Sequence, residues 1–140
     1  MRTYSIFKQT FGTEHYINKV SNFNYRQAIS KLRVSSHDLS IETGRHGANK
    51  TPLHQRLCSM CHVIEDELHF LVSCRIYTDE RNKLYESLEF DQSFIINTDP
   101  KTIFCRLMKL TEQHQLEKLG QFIYKSFDKR RKYLVDSSHS

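Results

Sequence analysis

Apolar residues recur along this chain at helical rather than strand spacing. Tyr4, Phe7 and Phe11 share one helical face, Gly12 interrupts, and Tyr16, Ile17 and Val20 resume the period. Two short helices, or one broken helix, are predicted there. Asn22 or Asn24 can cap a further helix whose apolar stripe is Tyr25, Ala28, Ile29 and Leu32, with Arg26, Lys31 and Arg33 mostly off it. Residues 35–38 read as a turn or a helix end, and alternation around Leu39 and Ile41 predicts a short extended piece up to Gly44. A basic loop follows over residues 45–56. Further on, Thr78 or Asp79 starts a helix that buries Leu84 and Leu88. Asp99-Pro100 marks another start, a capping acid with proline in the first turn, and Ile103, Phe104, Leu107, Met108 and Leu110 form its apolar face. The last and longest helix carries Leu116, Leu119, Ile123 and Phe127 in register, with Lys118, Lys125 and Lys129 largely elsewhere. It is expected to end in Lys129-Arg130-Arg131-Lys132, followed by a polar tail.

Composition sharpens this picture. The chain has 140 residues, few Gly and Pro, and nine Phe with seven Tyr, which suits one mainly helical domain with a modest aromatic core. Arg2, Lys8, Glu14 and Lys19 break up any apolar leader in the first twenty residues, and no run reaches membrane-spanning length. Charge is unevenly placed. Residues 1–57 hold nine Lys/Arg against three Asp/Glu, a net of +6. Residues 58–98 hold three against eight, a net of −5, and residues 99–140 nine against five, a net of +4. An acidic centre between basic flanks points to a polyanionic partner, or else to a solvated basic surface with none.

The chemistry lies in the centre. Cys58 and Cys61 are two residues apart, His69 follows, and Cys74 closes the window. Three thiolates and one imidazole complete a tetrahedral zinc sphere, leaving no position for water or substrate, so one structural Zn2+ is expected. Three rivals share these residues. Cys58-Ser59-Met60-Cys61-His62 fits the haem-attachment pattern, but that leaves His69 and Cys74 without a role. A redox pair requires a strand–helix context not visible nearby, and the cysteines can also be small buried fillers. His62 is the weaker imidazole because its adjacency to Cys61 strains a chelate. Glu65-Asp66-Glu67 reads as a helix-start device rather than a catalytic cluster. Cys105 sits in an apolar helical pattern as a buried filler.

The domain expected is therefore mainly α, with residues 1–57 as a basic helical lead-in, 58–74 as the zinc site, 75–134 as C-terminal helices and 135–140 as a polar tail. Several of its strings resemble a known family. Residues 32–46, then Arg56-Leu57-Cys58-x2-Cys61, Glu65-Asp66-Glu67-x-His69-Phe70 and Cys74-x2-Tyr77-x3-Arg81, are similar to the reverse-transcriptase zinc-binding domain. That domain is the tail of animal non-LTR retrotransposon polyproteins. The closing residues 124–130 fit the same context, so the resemblance covers residues 16–132 or so. It implies Cys58, Cys61, His69 and Cys74 as metal ligands. It also implies an accessory role in holding RNA or target DNA beside the polymerase part of a parent polyprotein. No polymerase palm, no adjacent aspartate pair in a hydrophobic hairpin and no endonuclease signature accompany it, so polymerase activity does not carry over.

The residues expected to meet phosphates are Arg33, Arg45, His46, Lys50 and Arg56 on one side and Lys129, Arg130, Arg131 and Lys132 on the other. Tyr25 and Tyr77 can stack on unpaired bases or belong to the core. The four-base run also fits a nuclear-entry signal, so an intracellular, nuclear location is expected, with no membrane and no small-molecule substrate. No triad or open metal site is recognisable among the eight histidines; a hydrolase using His37, Asp38 and Glu42 is conceivable, but nothing selects it over a capped turn. The alternative is a structural or protein-interaction module in which zinc serves folding alone.

Overall fold

A computed structural model describes residues 20–33, 39 and 52–138. The expected N-terminal helices, the extended piece near Gly44 and the loop residues Arg45, His46 and Lys50 lie outside those residues, as do His37, Asp38 and Glu42. Among the described residues five α-helices follow in order: α1 Phe23–Arg33, α2 Thr78–Ser87, α3 Gln92–Asn97, α4 Pro100–Met108 and α5 Gln113–Ser138. Between α1 and α2 come a 3-10 turn (Leu53–Gln55), a π-helical turn (His69–Ser73) and a second 3-10 turn (Arg75–Tyr77). Pairing of extended chain among the described residues is confined to one antiparallel bridge, Leu57 with Ile64. The protein is mainly helical, as its periodicity predicts.

Local chemistry starts three of these helices. Asn22 Oδ1 accepts the Tyr25 N–H at 3.1 Å, so Asn22, not Asn24, caps α1. Asp91 accepts from the Phe94 N–H at 2.6 Å and begins α3, a short helix the periodicity did not predict. Asp99 accepts from the Thr102 N–H at 3.1 Å, with Pro100 in the first turn of α4. Helix α2 ends in a reverse turn where the Phe90 N–H bonds to Tyr85 O at 2.9 Å and the Glu89 N–H to Glu86 O at 3.1 Å. That pair of bonds needs a left-handed residue between them, and Glu89 supplies it at φ 60°. The Tyr85 and Phe90 rings, 5.5 Å apart, seal the turn.

Helix α5 is the spine. It packs against α1 and α2, while α4 packs against the π-helical turn. Leu116, Leu119, Phe122 and Ile123 are buried along it, meeting a core that includes Ile29, Leu32, Phe70, Tyr77, Leu84 and Phe104. Gly120 permits close approach to α1: a Cβ there would lie 2.7 Å from Tyr25 Cβ and 2.9 Å from Tyr25 O. Two expectations change here. Helix α5 continues past Lys132 to Ser138 instead of giving way to a tail at residue 135, helped by Tyr133 packing on the core and by the Lys132–Asp128 pair one turn apart at 3.0 Å. Cys105 is partly exposed, not a buried filler, because it faces the edge of α4 beside Phe90, Phe94 and Arg106.

Candidate metal centre

The first two ligands sit on a tight knuckle. The Cys58 N–H donates to Val63 O at 2.8 Å, the His62 N–H to Cys58 O at 2.9 Å, and the Glu65 N–H to Arg56 O at 2.9 Å. His62 closes this turn in the left-handed region at φ 60° and is exposed, its role conformational. Of the other two candidate ligands, His69 opens the π-helical turn and Cys74 follows it. Asp66 Oδ1 accepts the His69 N–H at 2.9 Å, so one of the three acids does start the helical turn. The Cys74 N–H then bonds to His69 O at 2.7 Å, five residues back instead of four. On an α-helix, side chains five apart point about 140° away from each other. The wider π turn brings them back toward one side, and such turns recur at functional sites.

The result is a compact donor set. One ligand atom from each of Cys58, Cys61, His69 and Cys74 lies within 4.8 Å of all the others. Cys58 Sγ and Cys74 Sγ are 3.7 Å apart, and Cys61 Sγ and Cys74 Sγ 4.0 Å. Zn–S bonds of about 2.3 Å in a tetrahedron place sulfurs about 3.8 Å apart. Three of the four residues are buried and Cys61 is half-buried. His69 Nε2 is buried without a hydrogen-bond partner, an uncommon state for a ring nitrogen unless something else takes its lone pair. These four residues are close enough to hold a metal ion.

Electrostatics agree with that use. Burial lowers the His69 pKa below its usual 6.5, against the opposing carboxylates of Asp66 and Glu65, so the imidazole is neutral near pH 7 and its lone pair available. Burial pushes the Cys74 thiol up to about 12, so without a cation it keeps its proton. At Cys61 burial works the same way, but hydrogen bonds from the Arg75 backbone and side chain and from the neighbouring thiols outweigh it and lower the pKa.

Two arginines hold this centre from behind. Arg81, buried on α2, donates Nε to Leu71 O at 2.8 Å, Nη1 to Cys74 O at 2.8 Å and Nη2 to Phe70 O at 3.1 Å. It satisfies the carbonyls that the end of a helical turn leaves open. Arg130 of α5 grips Glu65 through two bonds, Nε to Oε2 at 3.0 Å and Nη2 to Oε1 at 2.7 Å, both side chains buried. Sixty-five residues of sequence separate these partners.

Arg130 therefore does not belong among the phosphate-contacting residues: its fork is turned inward and already occupied by a carboxylate. Its neighbours differ. Lys129 bonds Glu80 at 3.2 Å, while Arg131 and Lys132 are exposed and both pair with Asp128. Arg56 lies half-buried at the foot of the knuckle, and of Arg33 only its place at the end of α1 is described. Tyr77 is fully buried against Phe70, ring centroids 4.9 Å apart, and so belongs to the core; Tyr25 is half-buried beside Tyr124.

The helical period missed the roles of Arg81 and Arg130 although it contained them. Arg81 shares the α2 stripe with Leu84, Tyr85 and Leu88, and Arg130 lies two turns beyond Ile123. An arginine on an apolar stripe needs a buried partner. The chain matches no protein-family model, no curated protein and no solved structure.

Proposed function

We propose that this chain is a zinc-stabilised module that binds RNA or DNA without catalysing a reaction, in the manner of the reverse-transcriptase zinc-binding domain its sequence resembles. The observation that carries the reading is the closed donor set, Cys58, Cys61, His69 and Cys74, which uses all four positions of a tetrahedral ion and so suits a structural zinc. Beside it, Arg131 and Lys132 are exposed on α5, and the basic segment 1–57 supplies further cations. Contacts of that kind give affinity without base readout. A nuclear location fits the same basic run.

The test is a titration of the metal-loaded chain with labelled nucleic acid at two ionic strengths. Binding is expected to weaken steeply as salt rises, with a log–log slope of about −0.9 per phosphate neutralised on duplex DNA. Undetectable binding at low salt removes the proposal.

One observation favours a second reading, a scaffold or protein-interaction module. Every cation of the run from Lys129 to Lys132 already has a carboxylate beside it within the protein. In that case reversing charge at Arg131 and Lys132 leaves function intact, and partners co-purify from a nuclease-treated lysate.

A further inference from the structure

Beside the knuckle, between its tip and the packed helices, lies a shallow recess of about 320 Å³, open to solvent and lined by Met60, Arg75, Ile76, Asp79, Lys129 and Tyr133, with Thr78 completing its wall. It is within the size range of small-ligand pockets. Its lining mixes two chemistries. Met60, Ile76 and Tyr133 form an apolar surface, and Arg75 and Lys129 place cations on the same wall. Elsewhere on the knuckle Leu57, Val63 and Ile64 are also partly open to solvent.

We infer that this recess receives one unpaired base of a single-stranded nucleic acid, with Met60 and Tyr133 against the base and Arg75 and Lys129 beside its phosphates. The inference rests on the nucleic-acid reading proposed above and narrows it to strands with free bases. In a duplex the base faces are stacked on one another and cannot enter such a pocket. In a single strand each base offers a π face that an aromatic or thioether side chain can cover, whatever its identity. Lys129 gives one N–H to Glu80 at 3.2 Å and has two others to offer. Asp79, the carboxylate on the lining, repels a phosphate and can accept from an exocyclic amino group of the base. The chemistry of partner that fits is thus flat, apolar on its faces and anionic along one edge.

The experiment uses the full metal-loaded chain and fluorescently labelled strands of about eight nucleotides. They are one mixed sequence as RNA and as DNA, the matching duplex, and a strand of the same length made of abasic sites. Both single strands are expected to bind at least about tenfold more tightly than the duplex or the abasic strand, and the ratio between RNA and DNA names the natural source. Tyr133→Ala and Met60→Ala are each expected to lower single-strand affinity roughly five- to a hundredfold, while Tyr133→Phe retains it. Because Tyr133 also packs on the core, metal content and circular dichroism are measured on each variant; Met60, exposed on the knuckle, serves where Tyr133→Ala fails to fold. Equal affinity for abasic, duplex and single strands overturns the pocket but leaves phosphate-driven binding standing. Loss of a protein partner by Met60→Ala with nucleic-acid binding unchanged overturns it as well. Absence of binding to every strand removes both this inference and the reading beneath it.

Discussion

Around the knuckle the chain leaves Leu57, Met60, Val63 and Ile64 partly exposed, whereas along α5 Leu116, Leu119 and Ile123 are sealed against their neighbours. The two regions also differ in what joins them to the rest. Helix α1 meets α5 through apolar side chains and the missing Cβ of Gly120. The knuckle instead brings together four candidate ligand atoms, a buried arginine fork and one ion pair, with little apolar burial of its own. Hydrophobic burial is non-directional and forgiving of small shifts. Ligand geometry and buried charge are neither, so damage there should propagate farther per atom removed.

The largest test of that contrast is metal removal. Chelation, or Cys58→Ser or Cys74→Ser, is expected to remove a contribution on the order of 10 kcal/mol, comparable to the whole stability of a domain. Thermal unfolding followed by circular dichroism should show the midpoint falling by at least about 10 °C. An unchanged midpoint after verified chelation contradicts a structural metal. The pH dependence should reverse sign with it. Metal-loaded protein loses stability as pH falls, because protons compete for the thiolates. The fraction of metal-free protein that stays folded behaves oppositely at high pH. Its Cys74 thiol ionises near 12 rather than the ordinary 9.0, so the folded form retains a proton the unfolded chain gives up, and stability declines as pH rises across that interval.

Removing the fork behind the ligands comes next. Arg81→Ala orphans the carbonyls of Phe70, Leu71 and Cys74 and is expected to cost about 4 kcal/mol by denaturant unfolding. Arg81→Lys should recover little, since an ammonium cannot present three donors in one plane. A loss below about 1 kcal/mol would mean that water replaces the guanidinium, and the contrast between regions would weaken accordingly.

Glu65→Gln removes the buried carboxylate that Arg130 grips and is expected to cost about 3 kcal/mol. Replacing both residues by Met should cost much less than either single change, which a double-mutant cycle reads directly. Additive losses would show that the pair does not act as a unit. The smallest effect belongs to the apolar side of the comparison. Gly120→Ala drives a methyl against Tyr25 backbone oxygen, and about 2 kcal/mol is expected, with metal affinity unchanged. A matching loss of metal affinity would mean that α1, α5 and the knuckle respond together rather than as regions held by separate forces.

Much of this protein was readable before any coordinates. Helical periodicity placed α1, α2, α4 and α5, because a 3.6-residue repeat is a local property of backbone geometry. Asp99-Pro100 announced its helix for the same reason, since a cap reaches only three residues ahead. Cys58, Cys61, His69 and Cys74 were recognisable as a donor set from type and spacing, all within a single short window. Helix α3 escaped notice: six residues with Phe94, Ile95 and Ile96 are too few to display a period, and Ile96 is left exposed.

What the linear order could not decide was who pairs with whom at long range. Arg130 looked like one base in a run of four, and only the seating of α5 on the knuckle joined it to Glu65. Arg81 became a cap for the π-helical turn because α2 folds back beneath it. The π turn itself, which brings His69 and Cys74 toward one side, follows from the wider bond between them and has no signature in composition. Short-range geometry is written in neighbouring residues. Partners across 65 positions are selected by packing, where a buried charge must find its counter-charge or leave the core.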